Sequence, residues 1–191
     1  MSAGRWRQLL LTVTFVPACW LAMMAVHELG HVLAGWATGG TVDHVVLGPF
    51  ALSRTEMRDN PHPLCEIWSG PLLGALLPWL LVLGWRLARV PATHLPRFFA
   101  GFCLVANGAY LMAGACTGDG DAGELIGLGA PVWVLVVVGL PMLLGGLRAW
   151  HGLGPAFGMG NGGERVAAGQ VVGSAALLAL IIMLELVLTP R

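Results

Sequence analysis

Residues 27–31 read His-Glu-Leu-Gly-His, with two histidines four positions apart and a glutamate directly after the first. Positions i and i+4 of an α-helix lie on one face, so His27 and His31 would present neighbouring imidazoles that can hold one metal ion. A bound metal ion lowers the pKa of a water molecule beside it, and the Glu28 carboxylate could then accept the water's proton. The motif therefore predicts a metal site with Glu28 as the catalytic base.

The surroundings of the motif are strongly apolar, with LTVTFVPACWLAMMAV before it and VLAGWA after it. Histidine and glutamate are costly in an apolar membrane segment unless they serve a purpose. This cost favours a metal site over a chance arrangement of helix residues in a chain that has only 6 histidines.

The composition is that of a membrane protein rather than of a soluble domain, since 57% of the 191 residues are hydrophobic and 10% are charged. Ten basic residues, all of them arginine, balance ten acidic residues, so the net charge indicates no nucleic-acid partner. The four cysteines form no CxxC pair and are expected to be small apolar packing residues. The length suits a single membrane domain over residues 1–191.

Five apolar runs are each close to the roughly 20 residues that cross a bilayer, and they predict an all-α polytopic protein of about five transmembrane helices. The runs cover about residues 8–37, 64–87, 98–116, 131–150 and 164–188. We expect a multi-pass protein of the cell membrane, with the lipid bilayer as its surroundings. Cleavage of the first run as a signal peptide would cut directly before His27, so an uncleaved anchor is expected.

Residues 41–62 differ from the apolar runs. Two short β-prone stretches, 42–47 and 50–55, lie on either side of Gly48-Pro49. They predict a small β-hairpin after the first helix, at the membrane surface or dipping into it.

A catalytic zinc ion takes three protein ligands and keeps a fourth position for water, so a third ligand is needed. Glu56 and Glu66 are the glutamates shortly downstream, but neither lies in a recognisable motif. The acidic and flexible stretch 118–121, Gly-Asp-Gly-Asp, follows the third apolar run. In alternating spans it reaches the same side of the membrane as the far end of the first run. The third ligand is therefore expected from this stretch, as Asp119 or Asp121.

These features resemble the site-2 protease family of intramembrane zinc metallopeptidases, as a small bacterial-type member without a PDZ domain. The resemblance rests on the HExxH motif of an early membrane helix, the hairpin-like segment, Gly70-Pro71, and an Asp-Gly type motif after Asn107. It covers residues 20–130. It implies a core protease part at about 8–130, with additional helices at about 131–150 and 164–188.

The resemblance also implies the roles of individual residues. Zn²⁺ would be held by His27, His31 and Asp121, where the apolar residues after Asp121 fall in step with the family motif. Asp119 is the competing third ligand. Asn107 would contact the substrate or transition state near the reacting carbonyl.

The implied enzyme is a zinc metalloendopeptidase that hydrolyses membrane-spanning or membrane-adjacent proteins by metal-activated water. Its helical substrate would have to unwind before cleavage, and the hairpin could offer an edge for the unwound strand. The alternative is a non-proteolytic membrane scaffold or assembly protein that retains the fold. The intact Glu28 argues against the scaffold, because a structural metal site needs no general base. The sequence leaves open the substrate, the trigger, the oligomeric state and the membrane side of the site.

Overall fold

The computed structural model describes residues 3–49, 53–160, 163 and 165–188. Over these residues the chain forms seven α-helices, one two-stranded antiparallel sheet and a short 3₁₀ turn. In chain order they are α1 Ala3–Ala37, β1 Thr41–Val46, β2 Arg54–Asp59, α2 Pro63–Leu76, α3 Pro78–Leu87, α4 His94–Thr117, α5 Gly120–Gly127, α6 Val132–Trp150, the 3₁₀ turn Gly154–Phe157 and α7 Ala168–Leu188.

Five helical segments of the described chain are long and apolar enough to cross a membrane, with mean hydropathies between 1.5 and 2.6. They are α1, α2 together with α3, α4, α6 and α7. Leu77, between α2 and α3, keeps helical angles of φ −55° and ψ −38°, so these two helices continue as one span. The predicted all-α membrane architecture with a hairpin after the first helix is confirmed. Glu164, at the predicted start of the fifth run, lies outside the described residues.

The second strand of the hairpin lies four residues later than the sequence predicts. β2 covers Arg54–Asp59 and pairs antiparallel with β1, with Val46 opposite Arg54. Residues 50–52 of the predicted strand lie outside the described part of the chain. Packing against α1 explains the position of β2, because the Met57 side chain fills the space beside Gly35, where a Cβ would come within 2.5 Å of Met57 Cε.

The sequence predicts a flexible acidic stretch after α4. In the structure this stretch instead leads directly into the short helix α5. Gly118 ends α4 with a left-handed backbone, φ 76°, which glycine adopts without strain. α5 then packs through Ala122 and Leu125, both fully buried, against Leu111 of α4 and Leu135 of α6. This packing positions the backbone of α5, and with it Asp121, relative to α4 and α6.

Close approach of glycines brings the helices around the site together. A Cβ on Gly30 of α1 would lie 2.4 Å from the Ser69 carbonyl oxygen of α2. α4 and α6 meet in the same way, since a Cβ on Gly108 would lie 2.6 Å from the Gly139 carbonyl oxygen. Small residues at helix contacts let backbones approach closely in membranes. Glycines therefore place α2 close against α1, and α6 close against α4, around the candidate site.

Candidate metal centre

Three side chains from α1 and α5 converge on one point. His27 Nε2 lies 3.0 Å from Asp121 Oδ2, and His31 Nε2 lies 3.1 Å from His27 Nε2 and 3.5 Å from the same carboxylate oxygen. All three candidate ligand atoms lie within 4.8 Å of one another. The helical i, i+4 spacing thus places both imidazoles on one face, and α5 brings a carboxylate to them.

The orientation of His27 is fixed from α4. Asn107 Nδ2 donates a hydrogen bond of 2.9 Å to the Cys103 carbonyl, which leaves Asn107 Oδ1 to accept from His27 Nδ1 at 2.7 Å. We infer the His27 tautomer from this network: the proton lies on Nδ1, and Nε2 presents its lone pair to Asp121 and His31.

The orientation of His31 is fixed from α2. His31 Nδ1 lies 2.8 Å from Glu66 Oε1 and 3.2 Å from the Glu66 carbonyl oxygen, and both oxygens are acceptors. Glu66 Oε2 in turn accepts a hydrogen bond of 3.0 Å from Asn60 Nδ2. The same reasoning places the His31 proton on Nδ1, so Nε2 of His31 also presents a lone pair.

The donor set fits a divalent metal ion such as zinc. With both Nδ1 atoms donating outward, two imidazole nitrogens and the Asp121 oxygen are three acceptors that face one another. Acceptors this close repel one another unless a cation or a proton lies between them. Two histidine nitrogens and one carboxylate oxygen form a set that catalytic zinc uses.

Asp121 is ionised in this arrangement. Burial acts to raise the pKa of Asp121, but the hydrogen bonds and charges that His27 and His31 supply in their protonated, metal-free form outweigh it and hold that pKa below its ordinary value. The Tyr110 hydroxyl, from α4, also accepts a hydrogen bond of 3.1 Å from the Asp121 backbone N–H. Asp121 therefore enters the site as a carboxylate with a fixed backbone.

Glu28 lies beside the three candidate ligands without joining them. Its side chain is buried, with the residue 4% exposed, and Glu28 Oε2 accepts a hydrogen bond of 2.7 Å from the Thr55 hydroxyl of β2. Glu28 and the three candidate ligands line one cavity of about 800 Å³. The walls of the cavity are largely apolar, with Trp20, Met23, Met24 and Ile67 among them. The cavity therefore has space beside Glu28 and the three candidate ligands.

No family model, no curated protein and no solved structure matches the chain. What the chain does has therefore to be inferred from the chemistry of its own residues.

The other residues singled out from the sequence lie as follows. Asp119 is exposed just before α5, outside the group of candidate ligands, and its carbonyl accepts from the Gly123 N–H. Asn107 is 1% exposed, and both polar atoms of its side chain bond within the protein. Its contact with a substrate stays a prediction, whereas its contact with His27 is a feature of the structure. Glu56 lies on the hairpin and pairs with His44 and Arg54.

The partners that orient the site are not evident from the sequence. There Glu66 stands out only as a possible third ligand, and nothing marks Thr55 or Tyr110. None of them lies in a motif, and their contacts span 35, 27 and 11 positions of the chain. Glutamate in the first turn of an apolar helix is the one signal that could have drawn attention to Glu66.

Substituting alanine for Gly70 should expel His31 from the site. A Cβ at Gly70 would lie 2.1 Å from His31 Nε2, closer than atoms can pack. We expect Gly70→Ala to lose most bound zinc, measured by mass spectrometry of detergent-purified protein. Gly84→Ala is the matched control, since a Cβ there meets nothing within 4 Å. Wild-type zinc content in Gly70→Ala would contradict the described approach of α2 to His31.

Proposed function

We propose that the chain is an intramembrane zinc metalloprotease that cleaves membrane-spanning or membrane-adjacent proteins in the cell membrane. The observation that carries the proposal is the convergence of three acceptor atoms, from His27, His31 and Asp121, in one cavity with Glu28. The resemblance of the sequence to the site-2 protease family agrees with this reading. A purely structural metal site would not need the fourth group, Glu28.

The residues that would hold the ion are the two histidines and Asp121. Zinc bound there would supply a Lewis acid and would lower the pKa of water from far above neutrality to about 7. Asn107 and Glu66 keep the histidine lone pairs directed inward, so the site is organised before any ion arrives.

Glu28 would carry the proton during hydrolysis. Its Oε2 is held by Thr55, which leaves Oε1 to take a proton from the attacking water and to return it to the leaving amine nitrogen. The low exposure of Glu28 keeps bulk water away from this transfer. The fixed position of the carboxylate lowers the entropic cost of reaching the transition state.

The hairpin offers a way to hold an extended substrate. Among the described residues the sheet consists of β1 and β2, so one edge of β2 has no partner strand there. Ser53, Thr55 and Met57 line the cavity, which brings this part of the hairpin next to Glu28. A substrate helix has no free backbone hydrogen-bonding groups until it unwinds, and an unwound segment could then add to β2 as a strand.

Removing the Thr55 hydroxyl should slow cleavage without releasing the metal. Thr55→Val keeps the shape of the side chain but loses a hydrogen bond to a charged acceptor, worth about 1.5–3 kcal/mol. We expect the cleavage rate to fall by roughly 10- to 100-fold, with zinc content unchanged. Thr55→Ser should restore most of the rate. A Thr55→Val protein as fast as wild type would show that Glu28 needs no partner on β2.

The proposal can be tested with purified protein in phosphatidylcholine vesicles. Synthetic membrane-spanning peptides of varied sequence are incorporated with it, and new peptide termini are identified by mass spectrometry. Cleavage should occur with bound zinc, stop when a zinc chelator is added and resume when zinc is returned. If zinc-loaded wild type cleaves none of these peptides and no protein of the membranes it is purified from, the scaffold function replaces the protease.

A further inference from the structure

The Nδ1 atoms of the two histidines face different kinds of hydrogen-bond acceptor. His27 Nδ1 faces the neutral amide of Asn107, whereas His31 Nδ1 faces a carboxylate, that of Glu66. A carboxylate accepts a stronger hydrogen bond than an amide oxygen does and draws the proton closer. The two imidazoles therefore differ in how strongly their Nε2 atoms can donate to a metal ion.

Glu66 is placed to act on His31 and not to bind the same ion. An imidazole carries its two nitrogens at separate ring positions, and Glu66 occupies the Nδ1 side while His27 and Asp121 lie at Nε2. Glu66 Oε1 takes the His31 contact, and Oε2 takes that of Asn60. Both carboxylate oxygens are thus engaged away from the three candidate ligand atoms, His27 Nε2, His31 Nε2 and Asp121 Oδ2.

The local fold holds this carboxylate in place at some cost. Glu66 is 6% exposed in the first turn of an apolar membrane helix, where a buried carboxylate is unfavourable unless its hydrogen bonds are satisfied. Gly30 and Gly70 let α2 approach α1 closely enough for both the Glu66 carboxylate and its carbonyl to reach one imidazole nitrogen. Asn60, in the link between β2 and α2, fixes the second oxygen.

We propose that Glu66 is a positioning residue that tunes the metal affinity of the site through His31. Its carboxylate fixes the His31 tautomer with the proton on Nδ1, holds the plane of the ring and makes Nε2 a stronger donor. This inference rests on the proposed function, because it concerns the same metal centre. Outer-shell partners of this kind typically change metal affinity by about 10- to 100-fold.

The test is zinc affinity, measured by competition with a chromophoric chelator on the purified, metal-free full chain in detergent. Glu66→Gln keeps the size of the side chain and removes the charge, and it should weaken zinc binding about 10- to 100-fold. The matched control is Glu124→Gln, the same neutralisation at an exposed glutamate that lines the same cavity. It should stay within about twofold of wild type, because Glu124 lies outside the group of candidate ligands and its exposed charge is screened by solvent.

A second measurement distinguishes a change in the donor strength of His31 from misfolding of the variant. Cobalt(II) in place of zinc gives visible absorption bands that report the ligand field, and these bands should shift in Glu66→Gln but not in Glu124→Gln. Asn60→Ala removes the donor to Glu66 Oε2, together with the acceptor of the exposed His62 N–H, and it should weaken zinc binding several-fold, less than Glu66→Gln does. This milder variant keeps the proposal testable if Glu66→Gln does not fold.

Each outcome has a distinct meaning. Glu66→Gln and Asn60→Ala that bind zinc as wild type does would overturn the role of Glu66 and leave the protease proposal standing. Equal weakening in Glu124→Gln would also overturn it, because bulk charge would then be the cause. If metal-free wild type takes up no zinc, the proposed function itself fails, and the role of Glu66 fails with it.

Discussion

Replacing Glu28 by glutamine should abolish peptide cleavage in a protein that still binds zinc. The glutamine oxygen can accept the Thr55 hydrogen bond that now holds Glu28, so the side chain should keep its place. An amide cannot accept a proton from water, and general-base catalysis typically contributes about 10²- to 10⁴-fold. We expect cleavage of vesicle-incorporated peptides to fall by at least 100-fold, with zinc content by mass spectrometry unchanged.

Glu56→Gln is the matched control for this experiment. Glu56 follows Thr55 directly on β2, and the Arg54 hydrogen bond and the His44 charge lower its pKa despite opposing desolvation. It touches no candidate ligand, so its neutralisation should leave cleavage at the wild-type rate. A Glu28→Gln protein that cleaves as fast as wild type would remove Glu28 from the mechanism, whatever its zinc content.

The second large effect is the loss of zinc when a ligand is removed. Asp121→Ala and His31→Ala each remove one of the three converging acceptors, so the remaining pair cannot complete a three-ligand site. We expect zinc affinity to fall by more than the roughly 10- to 100-fold that changes in outer-shell partners cause. The measurement is metal content of detergent-purified protein, at about one zinc per wild-type chain.

Asp119→Ala is the control that decides between the two aspartates. Asp119 lies only two positions from Asp121, yet its side chain is outside the ligand group, so this variant should keep its zinc. Loss of zinc in Asp119→Ala, with retention in Asp121→Ala, would show that the ligand is Asp119 and that α5 sits differently in the metal-bound protein.

The sequence predicts the architecture and the centre of the site because those depend on local patterns. Span number follows from the length and hydropathy of each run, and the pairing of His27 with His31 follows from helical geometry. Positions set by tertiary packing were not predictable. The strand β2 is displaced because Met57 packs on α1, and the acidic segment forms α5 because Leu125 is buried among neighbouring helices.

The hydrogen-bond partners of the two histidines also depend on tertiary packing and could not be predicted from local patterns. His31 meets Glu66 only because Gly30 and Gly70 let two helices approach, and no local pattern encodes that contact. His27 meets Asn107 across 80 positions of the chain. Resemblance to a family directs attention to Asn107 as a substrate contact, whereas packing gives it a partner within the protein.

The distances along the chain between these partners set an order of assembly during synthesis. His31 is 35 residues from Glu66, while His27 is 80 residues from Asn107 and 94 from Asp121. At about 5–20 residues per second, roughly 5–20 s separate the emergence of His27 from that of Asp121. During that interval α1 holds polar side chains whose partners have not yet been made, and its mean hydropathy of 2.1 favours its entry into the bilayer. The nascent chain therefore contains both partners of the His31–Glu66 contact well before it contains all three candidate ligands, which are complete only after α5 has been made.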